Sequence, residues 1–534
     1  MSRLINYYGE YDKPVPEHVG GEKKGFTCDV AIIGGGGAGL SAAVRAAEQG
    51  AKVILIEKMT ELGGNTRMAG GLLCTNSEIL QKAGVPDMTE EHIDLYRRTQ
   101  KYQLDPAIYE RFIRNTGVFY DWLAAKGLDT ENRKIVMDRV VMIRDRKEWA
   151  PLYNPAYGPG LMGSAVTDLL TKLADESDNV TILLSTEATS IETDEYGFVT
   201  GVKAVGGGFD YEIKTRNVIL ASGGFGCSDE MLKKYFPQYF SSDNYFSHYC
   251  LKHCTGDGIR MAERIGAETG KNMSIGLEAM NHIPGAYILQ RIIAEPCGII
   301  VSATGKRFMP EDDEENGEFI LDEQPDGLGW FLFTEQVKQK LYDLAIEHAR
   351  YGDWMPEIDQ LYKDIEDELK SGLVVKGETI EDLASGIGAP PEVLRRTLTD
   401  YEAYCAAGED KQFRKDPQYL MSMGLDGPWY AVKLIRKFDV TMGGVSIDAK
   451  NRALRPDGSV IPGLYVCGDV ASGWMGSDYG PLFSSFAWAV NSGFLTADEI
   501  CTDLRTAPEE NAAPTEDSTP VTKHRFRFLP QKTR

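Results

Sequence analysis

The sequence predicts an α/β protein whose main domain is discontinuous, built from both ends of the chain around an inserted region. Three observations predict it. Val30–Lys58 (VAIIGGGGAGLSAAVRAAEQGAKVILIEK) has the order strand, Gly-rich turn, helix, strand. Far along the chain, GLYVCGDV at Gly463–Val470 has the pattern of another buried strand ending in Gly-Asp. Between the two, strands give way to a mostly helical stretch and resume at Trp429.

Each element follows from local chemistry. Val30–Ile33 is a short apolar run, as expected of a parallel strand covered on both faces. Gly34, Gly36 and Gly39 have the spacing of a phosphate-binding turn: the first makes the tight turn, the second lets the backbone approach a pyrophosphate, and the third lets helix pack on strand. Gly37 and Ala38 lie within the turn as expected cofactor contacts, and Leu40–Gln49 reads as an Ala-rich helix, its N-terminal amides and dipole facing the phosphates. Lys52–Ile56 is the second strand, and Glu57, followed by Lys58, ends it where an acid can accept from ribose hydroxyls. This unit is Rossmann-like. Glu61–Cys74 (ELGGNTRMAGGLLC) reads as a loop too Gly-rich for helix or strand. Met88–Gly127 reads as helical by its apolar spacing. Val180–Ser185, Val199–Val205 and Tyr211–Lys214 read as strands, and Asn217–Gly224 (NVILASGG) as a third buried strand entering a Gly turn. Thr255–Thr269 reads as a helix behind a Gly-rich turn, and further helices are expected at Thr334–Arg350, Glu357–Ser371, Thr379–Ile387 and Pro391–Ala407. The expected division is an N-terminal extension (1–27), the first part of the cofactor domain (28–270), an inserted α+β capping domain (271–425), the second part of the cofactor domain (426–505) and a polar tail (506–534) expected to be disordered.

Of 534 residues, 57 are basic and 80 acidic, a formal charge of −23 that argues against nucleic acid or an anionic membrane as partner. The acidic run Glu311–Glu315 (EDDEE) reads as a solvated loop. No stretch is long and apolar enough to span a membrane, and residues 1–27 lack an apolar secretion signal. The nine Cys are odd in number and scattered; only Cys250 and Cys254 are close, and no metal, cluster or haem spacing occurs. They read as buried thiols in a reducing cytoplasm.

Phosphate turns of this kind serve both NAD and FAD. The Gly63-Gly64-Asn65-Thr66 loop soon after the ribose acid, the late ILASGG strand, and Asp469 placed to bind a ribityl chain all favour FAD, and a second phosphate turn for NAD(P)H is absent. With EKMTELGGNT (57–66), TGDGIRMAERIGAE (255–268), GIIVSATGKRFMPE (298–311), DVTMGGVSID (439–448) and the 463–493 segment, the chain resembles the flavoproteins that include soluble fumarate reductases, urocanate reductases and 3-ketosteroid dehydrogenases. The resemblance implies a mobile cap trapping substrate against the flavin. It also implies cofactor contacts from Gly64, Asn65, Thr66, Gly70, Gly71, Ala221, Gly223, Asp257, Gly468, Asp469 and Ser484. Members with covalent flavin carry a His near the GGNT loop; here it runs Asn65-Thr66-Arg67-Met68-Ala69, so FAD is expected to be non-covalent. Without a CxxCH haem motif, electrons are expected to pass to or from an external partner.

At the substrate positions the chain departs from the fumarate reductases. No Arg follows Lys306-Arg307-Phe308, Val440 stands where those enzymes carry His, and Gly476-Ser477-Asp478-Tyr479 replaces an Arg-bearing segment. Each lost charge-assisted contact would cost a buried carboxylate about 1.5–3 kcal/mol, which disfavours a small dicarboxylate. Tyr479 resembles the Tyr that ketosteroid dehydrogenases of the family use on the substrate ketone. The expected substrate is therefore a 3-ketosteroid or similar flat, hydrophobic ketone, undergoing CH–CH to C=C interconversion. The rivals are reduction of another activated alkene, such as an aryl enoate, and a partner-dependent electron-transfer subunit. Tyr287, Tyr245 and Tyr120 are candidates for a proton-transferring phenol, and His282 for a substrate-binding imidazole. Trp474, Met475, Phe483, Phe486 and Trp488 fit either an apolar slot or the core around the last helix.

Overall fold

The computed structural model describes residues 13–99, 104–132, 135–138, 141–143, 146–148, 152–155, 161–237, 240, 245–247, 250–278, 296–312, 320–321, 323–350, 369, 374–476 and 484–506. At its centre lies a six-stranded sheet in the order 452–454, 460–466, 218–220, 30–33, 53–56, 180–183. All neighbours are parallel except the first pair. Strand Val460–Val466 thus joins a sheet begun by Val30–Ile33, and Val218–Leu220 between them is buried on both sides. Helices Gly37–Glu48 and Ser484–Thr506 pack together on the sheet, so closely that a Cβ on Gly493 would lie 2.1 Å from the Ala38 carbonyl oxygen. A second sheet takes Glu22–Thr27, Phe209–Lys214, Val199–Gly206 and Thr186–Thr193 in that order.

Two apolar cores result. One runs from Cys28 to Ile275 and resumes from Phe438 to Cys501; the other lies between Cys297 and Leu434. The second core is built on an antiparallel sheet of Ile299–Ser302, Gly329–Thr334, Trp429–Leu434 and Val374–Gly377, against helices Ile380–Ile387 and Pro391–Ala407. Thr379 caps the first of these helices through a reciprocal pair with Asp382.

Several expectations need correction. The 61–74 segment is not all loop: Gly64–Met68 is a 3-10 helix entered through Gly63 at φ 111°. Met88–Gly127 is two helices, Thr89–Thr99 and Pro106–Ala125, the latter capped by Asp105 with Pro at its first turn. The helix after the Gly-rich turn spans only Asp257–Arg264. Strand Thr186–Thr193 was not anticipated. Glu311 is not solvated. It is 8% exposed and pairs with Arg307 (2.7 Å) and Lys415 (3.2 Å), while Arg307 also pairs with Asp410 (2.9 Å). Burial opposes the charge of Glu311, but Lys415 and Arg307 outweigh it and hold the carboxyl below its ordinary pKa. The expected helix 357–371 and the tail from 507 on lie outside the described residues, apart from residue 369.

Among the described residues, no helix is long and apolar enough to cross a membrane, and all nine cysteines are free thiols.

Candidate functional site

The carboxyl ends of four central strands converge. The Ala221 amide donates to the Ile33 carbonyl (2.8 Å), Cys467 to Leu220 (2.9 Å) and Gly34 to Ile56 (2.8 Å). Beyond these ends opens a cleft, in the place where open α/β sheets bind ligands.

The glycines of the turn divide their roles as the spacing predicts. Gly34 has φ 106°, and a Cβ there would lie 2.4 Å from the Ala221 carbonyl oxygen. A Cβ on Gly39 would meet the Gly34 carbonyl oxygen at 1.9 Å, so this residue sets helix-on-strand packing and does not line the cleft. Gly36 differs: a Cβ would meet nothing within 4 Å, and its side faces open space at the N-terminus of helix Gly37–Glu48. Gly37 and Ala38 line the cleft beside it, and the Gly37 amide donates to Thr66 Oγ1 (3.2 Å).

Glu57 lines the cleft while accepting from the backbone amides of Gly35 and Met59, both at 2.7 Å. The carboxylate therefore also braces the Gly-rich turn. Lys58 Nζ donates to Asp257 Oδ2 (2.5 Å) and Thr255 Oγ1 (3.0 Å). Burial opposes the Asp257 charge, but Lys58 outweighs it and holds the carboxyl below its ordinary pKa. Gly64, Asn65, Ala221, Gly223, Gly468 and Asp469 complete the expected lining. Asp469 follows the strand Val460–Val466 at the cleft wall; among the described residues Ser485 Oγ lies 3.4 Å from its carboxylate, and burial pushes its pKa up to about 7. A hydroxyl of a bound ligand would satisfy such a carboxylate.

Gly70, Gly71 and Ser484 do not line the cleft. Ser484 is buried at the start of the last helix. Tyr120, 1% exposed, belongs to the core. So do Trp474, Met475, Phe486 and Trp488: the two indoles stack at 4.9 Å, and Trp488 Nε1 donates to the Gly468 carbonyl (3.0 Å). Tyr479, Tyr287, His282 and Phe483, and the Tyr245 side chain, lie outside the described residues.

Sequence reasoning missed Thr186, Glu187 and Ala188 on the unanticipated strand, and His253 and Cys254 before the TGDG turn. Cys254 carries a thiol pKa well below the ordinary value, through a hydrogen bond from Cys250 and the charges of His253 and Lys58 working against burial.

These residues fit the FAD expected from the motifs. The free space over Gly36 admits a pyrophosphate at a helix N-terminus. The hydroxyl oxygens of Ser222 and Ser484 are buried with no hydrogen-bond partner among the described residues, leaving donors for a ligand or its surroundings. Among the described residues, no three His, Cys, Asp or Glu side chains group to hold a metal.

Comparison with known proteins agrees. The profile of the family described as FAD binding domain matches residues 29–481. The chain is 28% identical over 519 residues to an NADH:acrylate oxidoreductase of Vibrio harveyi, covering 84% of this chain and 48% of that protein. It thus spans about half the length of that relative. It is 26% identical over 569 residues to a 3-oxosteroid 1-dehydrogenase of Mycolicibacterium smegmatis, covering 88% of this chain and 97% of that protein. Its fold matches that of a flavocytochrome c3 fumarate reductase in an open conformation, with TM-score 0.69, 24% identity, and coverage of 89% of this chain and 78% of that one.

Proposed function

The chain belongs to the FAD binding domain family, and on that footing we propose that it is an FAD-dependent oxidoreductase interconverting CH–CH and C=C bonds next to a carbonyl. The observation that carries this reading is the likeness, along most of the chain, to relatives named for an acrylate and for a 3-oxosteroid. Both names denote a carbon–carbon bond conjugated to, or one step from, a carbonyl. FAD supplies the two-electron carrier, exchanging a hydride with the substrate carbon. The protein's part is to fix the cofactor in the cleft, hold the carbonyl and pass one proton.

For the substrate we favour a 3-ketosteroid or similar flat, hydrophobic ketone. The support is the absence of the carboxylate-handling Arg and His types at three positions, and the presence of Tyr479. A phenol there would donate to the oxygen of a developing enolate, with Tyr287 or His282 as its candidate partner. The second reading, reduction of another activated alkene such as an aryl enoate, is favoured by the acrylate relative. An external electron donor or acceptor completes either reaction.

Anaerobic mixing with a saturated or 4-ene 3-ketosteroid should bleach the oxidised flavin absorbance, and Tyr479→Phe should slow that bleaching by about 10-fold or more. No bleaching, together with rapid reoxidation of the reduced enzyme by an aryl enoate, would decide for the second reading. An unchanged rate in Tyr479→Phe would remove that residue from the chemistry.

We further propose that the flavin is held without a covalent link, on the ground that the 65–69 segment has no His. Acid precipitation of the holoprotein should leave all of the flavin in the supernatant; yellow colour retained in the pellet would refute this.

A further inference from the structure

Residues 13–21, ahead of the first strand, form no regular secondary structure, yet they are held against the rim of the cleft. Pro14 and Pro16 restrict the backbone to extended conformations. Exposure alternates accordingly: Val15, Glu17 and Val19 face outward, while Pro16, His18 and Gly20 turn toward the protein. The segment is anchored in sequence. Lys13 pairs with Glu61 at the surface. His18 Nε2 lies 2.8 Å from the Lys58 carbonyl oxygen, and its Nδ1 lies 3.4 Å from Glu187 Oε2. The Gly208 amide donates to the Val19 carbonyl (3.0 Å), and Gly21 passes so near that a Cβ would lie 2.5 Å from the Gly208 carbonyl oxygen.

The anchors are unequal. Lys13 and Glu61 are 45% and 34% exposed, and such a pair contributes little. The His18 side chain is 8% exposed and bridges two residues that both line the cleft. Lys58 follows the strand that ends in the ribose acid, and Glu187 lies on strand Thr186–Thr193 across from it. These two walls come from different sheets. Their backbones are already joined, the Thr186 amide donating to the Glu57 carbonyl and the Ser185 amide to the Met59 carbonyl, both at 2.9 Å; what the imidazole adds is a fixed position for the Lys58 carbonyl and the Glu187 carboxylate at that end of the cleft.

We propose that His18 is a positioning residue for the adenosine half of FAD, fixing the Lys58 carbonyl and the Glu187 carboxylate where these two residues line the cleft. It touches neither flavin nor substrate, and its effect falls on cofactor retention alone.

The test is FAD binding to the full-length apoprotein, followed by quenching of flavin fluorescence. His18→Ala should raise the Kd for FAD by about 10-fold through lost preorganisation of that end of the cleft. The melting temperature of the apoprotein should fall only slightly, by about the worth of one part-buried hydrogen bond, and the kcat at saturating FAD should stay unchanged. His18→Gln, whose amide can still donate to the Lys58 carbonyl, should recover most of the affinity, and Glu187→Gln should weaken FAD without unfolding the chain. ADP used as a competitor should lose affinity in His18→Ala in parallel with FAD. An unchanged Kd for FAD in His18→Ala overturns the proposal. So does a loss accompanied by a markedly lower apoprotein melting temperature that His18→Gln fails to restore, since that would show a structural role only.

Discussion

Gly36→Val should yield a folded, soluble and colourless protein. The backbone at Gly36 is extended (φ −73°, ψ −172°), which any residue adopts, and a Cβ there touches no protein atom within 4 Å. Folding therefore does not need this glycine; the phosphates do. A side chain filling that space should weaken FAD by at least about 100-fold, about 3 kcal/mol, with the apoprotein melting temperature unchanged. Gly39→Val provides the contrast. Its Cβ would lie 1.9 Å from a backbone oxygen, so the variant should fail to accumulate as folded protein whether or not FAD is supplied. Flavin content after purification, with melts of the apoproteins, separates the two. A yellow Gly36→Val protein with wild-type affinity would place the pyrophosphate elsewhere.

Arg307→Met should destabilise the second core by about 3–5 kcal/mol, the usual consequence of removing one partner from a buried ion network. Glu311 would be left with Lys415 and the Ile300 amide, and Asp410 with the backbone amides of Gln412 and Phe413. In the wild type, burial opposes ionisation of both carboxyls, yet Arg307 and, for Glu311, Lys415 hold their pKa values below the ordinary range. Their contribution is therefore present above the unfolded carboxylate pKa and lost as pH falls through the lower folded values. Without Arg307 the carboxyls would titrate upward, so the deficit of the variant should shrink between pH 7 and pH 5. Thermal melts at the two pH values, with proteolysis mapped to the region between Cys297 and Leu434, would show it. Equal melts at pH 7, or a deficit indifferent to pH, would sink the idea.

Much of the cofactor half was legible in the sequence because its determinants are local. The Gly34–Gly39 turn, the acid at Glu57 and the strand ending at Asp469 each carry their chemistry within a few residues of an apolar run. What escaped depended on distant partners. Glu311 looked like one charge in an acidic run; its burial is explained by Lys415, which pairs with it directly, and by Asp410, which shares Arg307 with it, both about a hundred residues away. Strand Thr186–Thr193 (TEATSIET) has six polar residues in eight and so lacks an apolar run; its β-branched Thr186, Thr189, Ile191 and Thr193 were the available signal. His18 gave no signal at all, since a lone imidazole in a Pro-containing segment acquires meaning only from the two walls it bridges.

The order of the central sheet also bears on how the protein is made. Strand Val30–Ile33 leaves the ribosome long before Val460–Val466, which completes its sheet, and before the helix ending at Thr506, which roofs it. At ordinary synthesis rates the nascent strand waits on the order of tens of seconds for that closure. The Cys297–Leu434 core, whose strands lie within one stretch of chain, is complete before then. The half that begins first in sequence is thus the half that finishes last, and FAD has no finished cleft to enter until the strand Val460–Val466 and the helix behind it have emerged.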